Sequence, residues 1–510
     1  MKTACHAARS ARAALAKLLR RAMLSATMLV VAGCTSVVEI RTHHGASGEL
    51  IPIDAENPSA GCAASSSTAD ARAYSIEDYA KYWAGYVEFD DEGWLYDPHG
   101  QPTQMQVVQT RLRSELGDRQ FDNTDFLVVA FVHGWHHNAH DTDCNVHEFR
   151  AMLKIANDRY AAEAAKNPKM HPRRIVGIYA GWRGESIDVD GFNLTTVLDR
   201  RNAAERVAKG DVRELFAQLR KLQIGETQKN DPAGGPMRAD RMRTVVIGHS
   251  FGGLIAFHGL SPAVLNELTL TKPERELGCR PTVFRAPAVL MQNGVRVAKD
   301  KNSAIKKNRS APVFPDMLIL VNPAFEATRF ESLHALMRPN GCKYPEDRAK
   351  VVVVTADNDR ATGSVFHASR KVLTLLEAYP REGNGNGNGN GNGNVSRERD
   401  ANTHAIGFTQ RYQTHRLCLI GEGPNKRAVA SLTYSSTAEW KPDPYAPVWV
   451  VRAPPHIVNG HNGFFFAKPE PGSGKQQPYL LDWLVGLHLL GPGLNSPVMT
   501  ADNSCPESIP

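Results

Sequence analysis

The stretch Met242–Gly253, "MRTVVIGHSFGG", decides how the rest of the chain is read. Its first half is apolar and β-branched, which suits a buried strand. Its second half matches G-x-S-x-G through Gly248, Ser250 and Gly252, and a helical pattern, "LIAFHGLSPAVLNEL", follows. In a strand–turn–helix setting the serine occupies a sharp, strained turn, and small neighbours leave room for the backbone. Ser250 Oγ then projects above the carboxyl edge of a sheet. The N-terminus of the neighbouring helix offers backbone N–H groups to a developing oxyanion. The plainer alternative is a glycine-rich turn that happens to hold a serine.

Working outward, the chain alternates between buried strands and amphipathic helices. Strand-length apolar runs lie in "DFLVVAFVHG" (Asp125–Gly134), "RRIVGIYAGWRG" (Arg173–Gly184), "DMLILVNPA" (Asp316–Ala324), "KVVVVTADNDRAT" (Lys350–Thr362) and "PVWVVRAPP" (Pro447–Pro455). Helical patterns run through "QMQVVQTRLRSEL", "HEFRAMLKIANDRYAAEAAK", "NAAERVAKGDVRELFAQLRKL" and the closing "PYLLDWLVGLHLL". Ahead of them, "AGYVEFDDEGWLYD" (Ala84–Asp97) reads as a hairpin about an acidic turn. Continuous apolar strands between helices imply an α/β fold, with a mostly parallel sheet covered on both faces.

A serine nucleophile needs a base, and an acid to orient that base. Asp357 and Asp359 stand just past the "VVVV" strand, at the same sheet edge as Ser250. Asp359 is preferred because it lies deeper in the loop, while Asp357 is placed to cap the turn. After the last strand, "PPHIVNGHNGFFF" offers His456 and His461. His461, flanked by glycines, is the better placed to face a cleft, and His456 reads as structural. The chain order Ser, Asp, His is the one found in α/β-hydrolases.

With these residues in hand, the chain resembles the α/β-hydrolase superfamily from about Ala84 to Leu490. The resemblance is carried by "FVHGW", "GWRG", "GHSFGG", "NPAFEA", "TADNDRAT" and "NGHNGFF", in that order. More narrowly, it looks like bacterial serine hydrolases with a lipase/esterase-like core. The likeness implies a Ser–His–Asp triad of Ser250, His461 and Asp359, an acyl-enzyme intermediate, and neither cofactor nor metal. It also implies that "VHGW" (Val132–Trp135) supplies the second oxyanion donor, the Trp135 N–H, beside that of Phe251. Thioester and amide hydrolysis, or a catalytically silent envelope scaffold, remain open on the same fold.

The histidine-rich run Phe131–His147 invites a metal reading through His133, His136, His137, His140, Asp141 and His147. Neither H-E-x-x-H nor a familiar zinc spacing occurs there, so loop roles are the better account. Trp182 and Arg183 of "GWRG" follow a strand and read as cleft-lining or as loop-orienting, and Phe464–Phe466 as core or cleft wall.

The N-terminus reads as a targeting segment. Lys2, Arg9, Arg12, Lys17, Arg20 and Arg21 precede the apolar run Ala22–Cys34, and "VAGC" resembles a bacterial lipobox with Cys34 as the lipidated residue. The expected organisation is therefore a signal peptide over 1–33, a flexible tether over 34–83, a hydrolase domain over 84–495 and a tail over 496–510. The expected place is the bacterial cell envelope, lipid-anchored to the outer membrane and facing the periplasm. The run "GNGNGNGNGNGN" (Gly383–Asn394) reads as a low-complexity surface loop. Cys62, Cys144, Cys279, Cys342, Cys418 and Cys505 would remain in the mature chain, a set that suits disulfides in an oxidising compartment. A net charge of +7 over 510 residues, without basic–aromatic clustering, excludes a strong nucleic-acid reading. The expected partners are a small-molecule or lipid acyl ester and, through the anchor, a membrane.

Overall fold

Eleven strands form one sheet in the computed structural model, which describes residues 39–50, 74–79, 81–97, 99–168, 170–184, 193–228, 241–270, 314–337, 349–379, 397–433, 446–465, 477–490 and 505. They are β1 (His43–Leu50), β2 (Tyr74–Asp78), β3 (Tyr82–Phe89), β4 (Asp125–Val132), β5 (Arg173–Trp182), β6 (Met242–His249), β7 (Met317–Val321), β8 (Val351–Ala356), β9 (His415–Ile420), β10 (Arg427–Leu432) and β11 (Val448–Ala453). Their order across the sheet is β1-β2-β3-β5-β4-β6-β7-β8-β11-β9-β10. From β3 through β9 in that order every pairing is parallel. Only the β2–β3 and β9–β10 pairs are antiparallel. The fold is thus α/β with a mostly parallel central sheet.

The helices are α1 (Gln104–Gly117), α2 (Cys144–Lys166), α3 (Asn193–Val207), α4 (Val212–Gln228), α5 (Phe251–Leu270), α6 (Glu331–Met337), α7 (Phe366–Leu373), α8 (Arg397–Thr403) and α9 (Tyr479–Leu490). Strand β4 shows why so continuous an apolar run is needed. Its Phe126, Val128, Ala130 and Val132 face a layer that includes Leu112 of α1, Leu215 of α4 and Leu254 of α5. Its Leu127, Val129 and Phe131 face the opposite layer, with Phe149 and Leu153 of α2 and Trp483 of α9. Side chains alternate across a strand, so a strand covered twice must be apolar at every position. None of the described helices is long and apolar enough to cross a membrane.

Three expectations change. The segment 34–83, read as a tether, contributes β1 and β2 to the sheet. A buried charge cluster holds this region in place. Glu77 accepts from Arg41 at 2.7 Å and from Arg150 at 2.5 and 2.9 Å. It also accepts from the hydroxyls of Tyr79 and Tyr86 at 2.6 and 2.7 Å. Polar composition suggested a solvated tether, but five donors around one carboxylate make a buried charge tolerable. The domain therefore begins well before residue 84.

The hairpin expected at Ala84–Asp97 shrinks to one bridge between Phe89 and Leu95. Its turn docks elsewhere: Asp211 donates through N–H to the Gly93 carbonyl at 2.8 Å, and Leu95 N–H donates to Asp211 Oδ2 at 2.8 Å. The same contact splits the helix expected over Asn202–Leu222 into α3 and α4. A Cβ on Gly210 would stand 2.2 Å from the Gly93 carbonyl oxygen, so the break is built for this approach. β9 and β10, not foreseen, extend the far edge, and Cys418 of β9 forms a disulfide with Cys505. The signal peptide, Cys34, the Gly383–Asn394 repeat, Phe466 and cysteines 62, 279 and 342 lie outside the described residues.

Candidate active site

Because β4, β6, β8 and β11 run in the same direction, the loops after all four open at one sheet edge. This edge is where open parallel sheets present their ligands. Ser250 stands between β6 and α5 with φ +54°. Few side chains adopt that conformation, and it persists only where the surroundings enforce it. Ser250 N–H donates to Val321 O at 3.0 Å, and Ser250 O accepts from Gly253 N–H at 3.0 Å and Ala324 N–H at 3.1 Å. Gly252 lets α5 start directly against β4. A Cβ there would lie 2.1 Å from Val132 O and 2.3 Å from His133 O, nearer than real atoms come. Gly252→Ala is accordingly expected to destabilise the fold by about 3 kcal/mol, the upper end of overpacking costs. Urea denaturation checks this; an unchanged midpoint would mean the elbow relaxes freely.

His461 lies in the loop after β11, with its imidazole between Ser250 and Asp359. Nε2 is 2.8 Å from Ser250 Oγ, and Nδ1 is 3.0 Å from Asp359 Oδ2. The Asp359 side chain is fully buried, while that of His461 is 23% exposed. Asp359 also accepts from Ala361 N–H at 2.9 Å, Thr362 N–H at 3.2 Å and the Thr362 hydroxyl. Burial pushes its pKa up, but the His461 and Thr362 hydrogen bonds and the His461 charge outweigh that and hold it below the ordinary value. With Asp359 ionised, His461 carries its proton on Nδ1 and presents the Nε2 lone pair to the serine hydroxyl.

The alternative residues stand outside this line. Asp357 pairs with Arg416 at 2.6 Å and Arg452 at 3.0 Å, and His456 is exposed. Asn358, between the two aspartates, accepts from Gly460 N–H at 2.7 Å and donates to Asn459 at 3.1 Å, which ties the loop of Asp359 to that of His461.

The "VHGW" turn sits against the elbow: a Cβ on Gly134 would be 3.0 Å from Ser250 Cβ. His133 shapes this turn. Its Nε2 accepts from Trp182 N–H at 3.0 Å, so Nδ1 carries the proton and donates to Gly134 O at 2.9 Å. Burial lowers its pKa to about 4, which keeps it neutral. The Gly134 carbonyl is thereby drawn to the imidazole, and in a trans peptide the following N–H, that of Trp135, points the opposite way. Among the described residues neither the Trp135 nor the Phe251 N–H has a hydrogen-bond acceptor.

The other histidines of this run are held by their neighbours. His136 stacks on Trp135 with ring centroids 3.8 Å apart, His137 lies 3.1 Å from Asp143, and His140 lies 3.1 Å from Asp141. Among the described residues, no group of three or more His, Cys, Asp or Glu side chains is arranged to hold a metal ion. Arg183 pairs with Asp91 at 2.7 Å, and Trp182 Nε1–H donates to His133 O at 2.9 Å, so both orient loops. Phe464 and Phe465 are buried, and Phe464 stacks on His249 with centroids 4.3 Å apart.

His249, Asn322, Asn358 and Thr362 belong to this site without being among the candidates named from the sequence. Two of them carried a signal: His249 fills a variable position of the elbow motif, and Asn322 precedes a proline at a strand end, a turn-forming pair.

No family model matches the chain, and no curated protein matches it. Among solved structures, the phospholipase PlaB from Legionella pneumophila, in complex with thio-NAD, is similar at 15% sequence identity and a TM-score of 0.24. That match covers 72% of this chain and 59% of the other, so the chain spans about three fifths of that protein's length.

Proposed function

We propose that the protein is a serine hydrolase cleaving acyl esters through Ser250, His461 and Asp359. One observation carries the reading: a continuous Asp359–His461–Ser250 hydrogen-bonded line of 3.0 and 2.8 Å ends on a serine held at φ +54°. Strain at a polar residue between a strand and a helix, with a base in contact, is the geometry of an activated nucleophile.

In this reading Ser250 Oγ attacks the acyl carbonyl as its proton passes to His461 Nε2. Asp359 stabilises the imidazolium that results and keeps the ring oriented. The negative charge that develops on the carbonyl oxygen is met by the N–H groups of Trp135 and Phe251, each such donor being worth about 2.7–4 kcal/mol in the transition state. His461 then returns the proton to the departing alcohol. In the second half-reaction it activates water, which releases the acid and restores the serine.

The same proposal sets the chain on the bacterial cell envelope through a lipidated Cys34, on the strength of its N-terminal sequence alone. A lipid or small-molecule acyl ester is the substrate class proposed.

The test is fluorophosphonate labelling with the adduct located by mass spectrometry, joined to a panel of esters, thioesters and amides. The expected result is a single adduct on Ser250 and fastest turnover of esters, unaffected by chelators. Fastest turnover of thioesters or amides would reassign the substrate class, and absence of both adduct and turnover would leave a silent scaffold.

A further inference from the structure

The carbonyl oxygen of His461 is bound from two sides by buried side chains outside the Ser–His–Asp line. Asn322 Nδ2 donates to it at 2.8 Å, and His249 Nε2 donates at 2.9 Å. Both residues are almost wholly buried, at 0% and 1% exposure. We propose that Asn322 and His249 are positioning residues that hold the catalytic base by its own backbone carbonyl. The inference rests on the hydrolase reading above and says how the base in that reading is kept in register.

Asn322 connects all three loops that bear the site. Its Nδ2 also reaches Gly460 O at 3.1 Å, and its Oδ1 accepts from Ala356 N–H at 2.9 Å, at the root of the loop carrying Asp359. The residue before it, Val321, accepts from Ser250 N–H. Asn322 itself is held at φ +45°, a conformation that Asn tolerates better than most residues. A strained, fully buried amide with its side chain bonded at both ends is costly unless those bonds form, so the arrangement is self-enforcing.

His249 completes the arrangement from the elbow. Its ring packs between Phe464 and the Gly134 turn, with Nδ1 buried and without a partner among the described residues. That pattern fits a neutral ring with its proton on Nε2. Burial, then the neighbouring His461 charge, pushes its pKa well below the ordinary value, so the donor keeps this form as His461 becomes imidazolium. A neutral donor fixes the base loop without opposing the charge that forms there. With its carbonyl held from two sides, the backbone that carries His461 is fixed beside Ser250.

The experiment measures kcat and KM for an ester substrate in His249→Phe, His249→Gln, Asn322→Gly, the Phe/Gly double variant, and each in a His461→Ala background. Phe keeps the ring stack without the donor, Gln restores an N–H, and Gly accepts the positive φ. Displacing a reacting group by about 1 Å costs on the order of 100-fold. The expected result is a 10- to 100-fold fall in kcat with KM unchanged for His249→Phe and Asn322→Gly, recovered in His249→Gln. The double variant should fall little further than the worse single, because both donors act on one carbonyl. In the His461→Ala background neither change should matter. Unchanged kcat in folded single variants, with His461→Ala inactive, overturns the positioning role and leaves the hydrolase reading standing. Full activity in His461→Ala removes the hydrolase reading itself.

Discussion

Replacing Ser250 with alanine is expected to lower ester turnover by about a million-fold and to abolish fluorophosphonate labelling, while the fold stays intact. The magnitude follows from how the three groups act as a unit. Without Oγ, His461 Nε2 has no proton to accept, and neither Asp359 nor the two amides can replace the lost nucleophile. A residue of catalysis, about 10³–10⁴ over water, should survive from the oxyanion donors and binding alone. The change deletes one oxygen from a side chain whose backbone is held by Val321, Gly253 and Ala324, so the denaturation midpoint should stay near that of the parent chain. Asp359→Asn should cost less, on the order of 10⁴, because the ring remains but its tautomer is no longer enforced. Turnover persisting in the Ser250→Ala chain at more than a few per cent would end the proposal, whatever the distances around His461.

The largest expected effect on stability lies far from the site. Glu77→Gln should destabilise the protein by about 3–5 kcal/mol, because it leaves the buried guanidinium groups of Arg41 and Arg150 without their counter-ion. Burial pushes the Glu77 pKa up, but Arg150 and Arg41, with the hydrogen bonds of Arg150 and Tyr79, outweigh it and leave the carboxyl below its ordinary value. A depressed carboxylate contributes stability that is fully present at neutral pH and lost as the medium falls below the usual glutamate range. The wild-type denaturation midpoint should therefore drop on acidification, and the Gln variant should drop less. Equal midpoints at pH 7, or equal slopes with pH, would show that the cluster does not hold β1 and β2 in place.

Much of the architecture was legible because parallel strands covered on both faces are written as unbroken apolar runs. β4, β5, β6, β7, β8 and β11 each announce themselves this way, and the glycines around Ser250 mark the elbow. What escaped notice was encoded in pairs distant in sequence. β1 and β2 carry few apolar residues, and their place depends on Arg41 meeting Glu77 and Glu77 meeting Arg150. The division between α3 and α4 depends on Gly93 approaching Gly210, over a hundred residues away.

For the site, the order and spacing of residues already named Ser250, His461 and Asp359 as candidates, because each follows a strand of one sheet and so must emerge at one edge. Periodicity cannot choose between Asp357 and Asp359. Packing does so, by giving Asp357 two arginines and bringing Asp359 to within 3.0 Å of His461. Nor can sequence reveal that Asn322 and His249 converge on one carbonyl oxygen, since that contact joins three loops from β6, β7 and β11. The sequence alone determined the α/β class, the elbow and the short list of reactive side chains, since these depend on local pattern and chain order. Register, the docking of the first two strands and the positioning of His461 were decided only in the tertiary structure, where hydrogen bonds and buried charges acquire partners that no window of sequence contains.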